Sequence, residues 1–282
     1  MIDKLILKEL ALRSPHLATV PADLFYYTNY YNRLLRKYDT IVDIPKSGYY
    51  KYSDSIEESR SKNSTWDFQY YINDIAFREA YPSVEETDIL SFFGCSFTYG
   101  VGVPTENTFY KQVAGDSSFL NLGDPGASIQ KISLIFSAAC RIWKIKTAVL
   151  TLPPWFRFGY TDKANNFMPI VTSDNPYASE ETENVRLSLH KDFSDQYHYS
   201  KVRDLLSLIV ETARIHNINL VIGSWDSETL EIVEAVIGYK GPLWNWQQSD
   251  RGRDGRHPGV NSHALYSNSI KSYLDNKQFV VL

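Results

Sequence analysis

Asp88-Ile89-Leu90-Ser91-Phe92-Phe93 is a short apolar run that stops abruptly at Gly94-Cys95-Ser96. A run of this length bounded by glycine reads as a buried strand, and Glu106 to Ala114 beyond it reads as a helix. The same alternation continues with strand Phe119 to Leu122, helix Ala127 to Trp143 and strand Thr147 to Leu152. After an interruption come helix Lys201 to His216, strand Asn219 to Gly223, helix Ser227 to Val236 and a closing helix Val260 to Asn276. Strands that alternate with helices are joined by right-handed crossovers into parallel βαβ units. The expected fold is therefore α/β, a three-layer α/β/α sandwich around a mostly parallel sheet, flavodoxin-like in its layering. Ser96 then falls at a strand's carboxyl end, where open parallel sheets bind their ligands.

A serine hydroxyl is barely ionised at neutral pH and attacks only with a positioned base. The chain offers one in Asp250-Arg251-Gly252-Arg253-Asp254-Gly255-Arg256-His257-Pro258-Gly259. Asp254 and His257 sit three apart on a glycine-broken loop before the closing helix, so one tight turn lets the carboxylate orient the imidazole. The second ring nitrogen is then left to take the serine proton and return it to the leaving group. His263, six residues on, reads as a helix-face residue, and His190, His198 and His216 have no partner pattern.

These blocks resemble the SGNH or GDSL hydrolases, a family with Gly-x-Ser near the amino end and Asp-x-x-His near the carboxyl end. Gly94-Cys95-Ser96 and Asp254-Gly255-Arg256-His257 match the two, and Asn121-Leu122-Gly123-Asp124-Pro125-Gly126 resembles the second block. Asn73-Asp74-Ile75-Ala76-Phe77-Arg78 is similar to an Asn-x-x-Gly-Phe-Arg segment that often precedes the nucleophile strand, with Ala76 in place of glycine. The resemblance runs from about residue 70 to 275. It implies Ser96 as nucleophile, His257 as base, Asp254 as the orienting acid, and the Ser96 and Gly123 amides as an oxyanion hole.

Two positions depart from the family pattern. Cys95 replaces an aspartate that ordinarily braces the turn; its side chain is expected to face the scaffold as a small buried hydrophobe. The family's third block supplies an oxyanion asparagine, but after strand Thr147 to Leu152 this chain has Pro153-Pro154-Trp155-Phe156-Arg157-Phe158. Loss of one such donor costs about a hundredfold or more in turnover, and Arg157 or Trp155 is the candidate substitute. With Ile222-Gly223-Ser224-Trp225-Asp226, this version resembles a branch often met in bacteriophage genomes. Trp155 and Trp225 are the candidate substrate-binding residues.

The remaining features bound the partners. With 43% hydrophobic and 22% charged residues and a net charge of -4, the chain lacks the basic surplus of a nucleic-acid binder. Arg251, Arg253 and Arg256 are a local exception: a solvated loop, a lure for an anionic substrate, or a loop fixed by pairing with Asp250. Two cysteines give no disulfide framework, and no cluster has zinc-ligand spacing, so neither metal nor cofactor is expected. The amino end is not a secretory signal and no stretch approaches eighteen uninterrupted apolar residues. Cytoplasmic location at synthesis follows, with virion association if the chain is phage-encoded, and no membrane partner.

Residues 1–84 form an amino-terminal extension holding eleven of the twenty tyrosines, and residues 85–282 form the hydrolase-like domain. Tyrosines bury well while keeping a polar tip, so the extension is expected to pack on the core, the other use being a glycan or protein surface. Ser53 to Thr65 reads as an exposed loop. Residues 157 to about 199 read as a structureless lid, binding loop or interface overhanging Ser96. The expected activity is a serine esterase or deacetylase removing a small acyl group, such as acetyl, from a carbohydrate, with acyl transfer left open. The alternative is a weakly active or inactive structural or host-recognition protein that assembles as a homo-oligomer or into a virion.

Overall fold

The structure is a computed structural model and describes residues 48–50, 68, 70–73, 77–161, 167–170 and 195–280. Tyr26-Tyr27, Tyr30-Tyr31, the Ser53 to Thr65 run, Asp74 to Ala76 and residues 171–194 lie outside them.

The centre is a four-stranded parallel sheet of β3 (Ile89–Gly94), β4 (Phe119–Gly123), β5 (Ile145–Leu152) and β8 (Asn219–Ser224), in the order β4-β3-β5-β8. Its strands read as continuous apolar runs because helices cover both faces, as parallel sheets require. Phe92, Phe93, Ala148, Val149, Leu150, Leu220, Val221 and Ile222 are all fully buried. Strand β3 pairs with β4 on one side and β5 on the other, with Gly94 opposite both Gly123 and Thr151. The chain leaves β3 for β4, then doubles back across β3 to β5. That reversal is a topological switch point, and it lies at the carboxyl end of β3.

Helices follow from the same path. α1 (Ser96–Tyr99) is a single turn on the end of β3; α2 (Phe109–Ala114) and α3 (Ile129–Cys140) belong to crossovers that travel in opposite directions. Right-handed crossovers then place them on opposite faces. α3 packs on α4 (Asp195–Ile215), and α4 on α5 (Ser227–Ile237), while α2 packs on α6 (Val260–Asp275). Phe93 meets Phe136 of α3 edge-to-face at 5.1 Å, and Phe109 of α2 meets Tyr266 of α6 at 5.0 Å. The α/β layering thus agrees with the expectation from sequence.

Two expectations need correction. Glu106 to Ala114 is not one helix: a 3-10 turn at Thr105–Asn107 precedes α2, because Thr108 is extended and donates its hydroxyl to the Thr105 carbonyl at 2.6 Å. Residues 157–199 are not structureless throughout. They contain the antiparallel pair β6 (Phe158–Thr161) and β7 (Phe167–Ile170), with β6 in contact with α3, and α4 begins at Asp195. Upstream of the sheet, the sequence also forms an antiparallel pair, β1 (Gly48–Tyr50) and β2 (Tyr70–Ile72). Among the described residues no helix is long and apolar enough to cross a membrane.

Candidate active site

Residues 91–100 are buried except one. Ser96 alone of the ten is more than slightly exposed, while its neighbour Cys95 is 0% exposed and holds the N-cap position of α1 without a side-chain hydrogen bond. The tight strand-to-helix turn turns adjacent side chains in opposite directions, which seals the thiol and presents the hydroxyl. As the first residue of α1, Ser96 has no intrahelical acceptor for its N–H. That leaves a donor beside its own hydroxyl.

The Asp254 loop is built to face this turn. Arg253 N–H donates to the Gly102 carbonyl at 2.8 Å, and a Cβ at Gly102, whose φ is +81°, would sit 3.0 Å from Asp254 Oδ1. Glycine is what permits both that left-handed backbone and the close approach. Asp254 Oδ2 bonds His257 Nδ1, and Asp254 Oδ1 accepts the backbone N–H of His257 at 3.0 Å and of Arg256 at 3.2 Å. Burial works to raise the Asp254 pKa, but the His257 ring and these N–H groups outweigh it and hold the carboxyl below its ordinary value. The aspartate is 9% exposed and the histidine 24%, so the acid is shielded and the ring accessible. The imidazole lies edge-on to Phe97, the residue after Ser96, with ring centres 5.7 Å apart. Asp254 and His257 are therefore joined directly. Among the described residues no hydrogen bond joins Ser96 Oγ to His257, a kind of link that in enzymes without substrate is often long and tightens only in the substrate complex.

Gly123, the second expected oxyanion donor, ends β4. Its N–H donates to Asn121 Oδ1 at 2.9 Å, so the amide is already engaged within its own strand. A Cβ there would collide with the backbone of Thr98 and Tyr99, so glycine is required for α1 to seat on β4. Next to it, Asp124 forms a fully buried ion pair with Lys131 of α3.

The two candidate tryptophans separate in the structure, and Arg157 goes with Trp225. Trp155 faces α5, its backbone N–H donating to Thr229 Oγ1 at 2.8 Å and its indole N–H to Glu228 Oε2 at 3.1 Å. Trp225 stacks on Phe97 at 4.7 Å, and the Arg157 guanidinium lies over the Trp225 ring at 5.4 Å. Trp244 and Trp246 complete the cluster, meeting Phe97 edge-on at 5.4 and 5.1 Å. Phe97 is thus the hub of an aromatic wall that includes the His257 ring. Sequence reasoning missed Trp244 and Trp246; the Trp-Asn-Trp spacing just before the Asp254 loop was the available signal.

Asp250 was a candidate partner for the nearby arginines, but its carboxylate has another task. It accepts the N–H groups of Asn261 and Ser262, both at 2.9 Å, and so caps α6 from outside the helix. This ties the Asp254 loop to the helix that follows it.

No protein-family model matches the sequence, and the search of curated proteins found no match. Solved structures do resemble it. A psychrotrophic esterase, EstA, from a Pseudoalteromonas species is 13% identical, aligned over 67% of this chain and 100% of its own, with a TM-score of 0.41. An acetyl xylan esterase, AlAXEase, is 13% identical over 66% of this chain and 99% of its own, with a TM-score of 0.42. A member of the lipolytic G-D-S-L family from Veillonella parvula is 16% identical over 67% of this chain and 97% of its own, with a TM-score of 0.39.

Proposed function

We propose that the protein is a serine esterase that removes a small acyl group, such as acetyl, from a carbohydrate. The observation that carries this reading is the pairing of Asp254 with the His257 ring on a loop seated against the turn where Ser96 is the most exposed residue. Ser96 Oγ attacks the ester carbonyl as His257 Nε2 takes its proton, while Asp254 keeps the proton on Nδ1 and stabilises the imidazolium. The developing oxyanion takes the Ser96 N–H. Collapse expels the sugar alcohol with the proton from His257, and water repeats the sequence on the acyl-enzyme.

The hole is narrower than in the hydrolases the sequence resembles. The asparagine is absent, and the Gly123 N–H must leave Asn121 before it can contribute. Low turnover on simple esters is the expected consequence, since each oxyanion donor is worth about a hundredfold or more. The test is hydrolysis of 4-nitrophenyl acetate and of acetylated oligosaccharides. Turnover is expected in the native chain, with a fall of about a thousandfold or more in Ser96→Ala and Asp254→Asn. Turnover that survives Ser96→Ala contradicts the reading. Its absence, together with a stable oligomer or particle association, favours a structural or host-recognition protein instead.

A further inference from the structure

Two arginines stand on the aromatic wall, and neither forms an ion pair among the described residues. Arg157 lies over Trp225 at 5.4 Å, and Arg251 lies over Trp246 at 4.4 Å. The two indole rings are 6.2 Å apart, nearly perpendicular, and both pack on Phe97. They come from distant parts of the chain: Arg157 follows β5, Trp225 follows β8, and Trp246 and Arg251 precede α6. Their convergence is a product of the fold, not of a local basic run.

Neighbouring carboxylates are engaged elsewhere. Asp226 caps α5 through Thr229, Glu228 accepts the Trp155 indole, Asp250 caps α6, and Asp254 holds His257. Among the described residues, neither Arg157 nor Arg251 forms an ion pair. The indole N–H groups of Trp225 and Trp246 are also buried without an acceptor. The wall therefore carries two cations that no ion pair among the described residues neutralises, in a chain whose net charge is -4. Arg253, by contrast, lies over Phe68 at 4.1 Å and donates to its carbonyl at 3.2 Å, so it serves the fold.

We propose that Arg157 and Arg251 form a subsite for a carboxylate carried by the substrate, and that the ester taken is one on an acidic sugar, a uronate. The inference rests on the esterase reading above. A guanidinium presents a planar fork that matches a carboxylate by two parallel hydrogen bonds. Stacking on an indole fixes the plane of that fork and limits the rotamer freedom lost on binding. Because Phe97 joins this wall to the His257 ring, a uronate held there lies beside the reacting groups.

The test compares acetylated oligoglucuronate with acetylated xylo-oligosaccharide as substrates, in the native chain and in Arg157→Gln/Arg251→Gln. The native chain is expected to favour the uronate by tenfold or more in kcat/KM, mainly through KM, and the double variant to lose that preference while keeping its thermal midpoint. Equal kcat/KM on the two substrates, or a preference that survives in the double variant, overturns the proposal. If neither ester is hydrolysed, the esterase reading fails separately, and calorimetric titration of oligoglucuronate into Ser96→Ala protein decides the subsite. Binding that weakens tenfold or more when both arginines are replaced supports it. Binding that the arginines do not affect, or none at all, overturns it.

Discussion

Cys95 and Ser96 are adjacent, yet one side chain is sealed in the core and the other reaches solvent. That division was legible in sequence because it follows from a strand ending at Gly94. The Asp254 and His257 contact was legible for a similar reason: it spans three residues and one turn. His263 was not. Read as a helix-face residue, it is fully buried, stacks on Phe109 at 5.9 Å and accepts the Phe109 N–H at Nδ1. The face it occupies points inward, toward a helix 154 residues earlier in the chain. Burial, followed by the charges of Arg78 and His257, pushes its pKa down to about 3. The unfolded chain takes up a proton near pH 6.5, which the folded protein refuses until about pH 3. His263 thus contributes stability that is complete above about pH 6.5 and is lost as pH falls toward about 3, at about 1.4 kcal/mol per unit. Asp254, with its folded pKa lowered, adds a second loss below the ordinary carboxylate value of about 4. His263→Gln keeps an acceptor for Phe109 without titrating in this range. Urea unfolding from pH 6 to 4 should show a shallower loss of stability in the variant, and an unchanged slope would contradict the assignment.

Most elements were legible to within a few residues, because β5 and β8 are short continuous apolar runs and α3, α5 and α6 bury one face. The hairpin β6–β7 was hidden in a polar stretch where neither short strand has a pattern of its own. The tie between the extension and the site was hidden too, since its contacts are long-range. Tyr70 of β2 accepts the Gly102 N–H at 2.8 Å. Arg78, fully buried, donates to the carbonyls of Tyr99 at 3.1 Å, Gly100 at 2.6 Å and Val103 at 2.9 Å, and pairs with Glu79. Glu79 in turn accepts from Thr105 and Tyr110. This segment therefore holds the loop after α1, whose Gly102 carbonyl anchors the Asp254 loop through Arg253. Replacing Arg78 by Met leaves those carbonyls and the Glu79 charge without a partner, at a cost of about 3 kcal/mol or more. Arg78→Lys restores the charge but not the fork and should recover part of that loss. Denaturant titration checks both, and two variants as stable as the native chain would show the segment to be dispensable.

At the scale of the whole molecule, the sheet order β4-β3-β5-β8 follows from the path of the crossovers, and it brings Ser96 to the point where they diverge. The Asp254 loop reaches the same end because Asp250 caps α6 and Arg253 bonds Gly102. An aromatic wall from β8 and the following loop then closes one side around Phe97. The parallel layering could be reasoned from the alternation of elements, but the strand order and the wall could not, because they depend on contacts between residues far apart in sequence. The central claim is that this assembly activates Ser96. Intact-mass analysis after exposure to a fluorophosphonate tests it most directly, with Ser96→Ala and His257→Ala as controls. One phosphonyl group per folded chain, lost in both variants, is the predicted result. A folded chain that takes no label, or takes it equally in Ser96→Ala, would contradict the account.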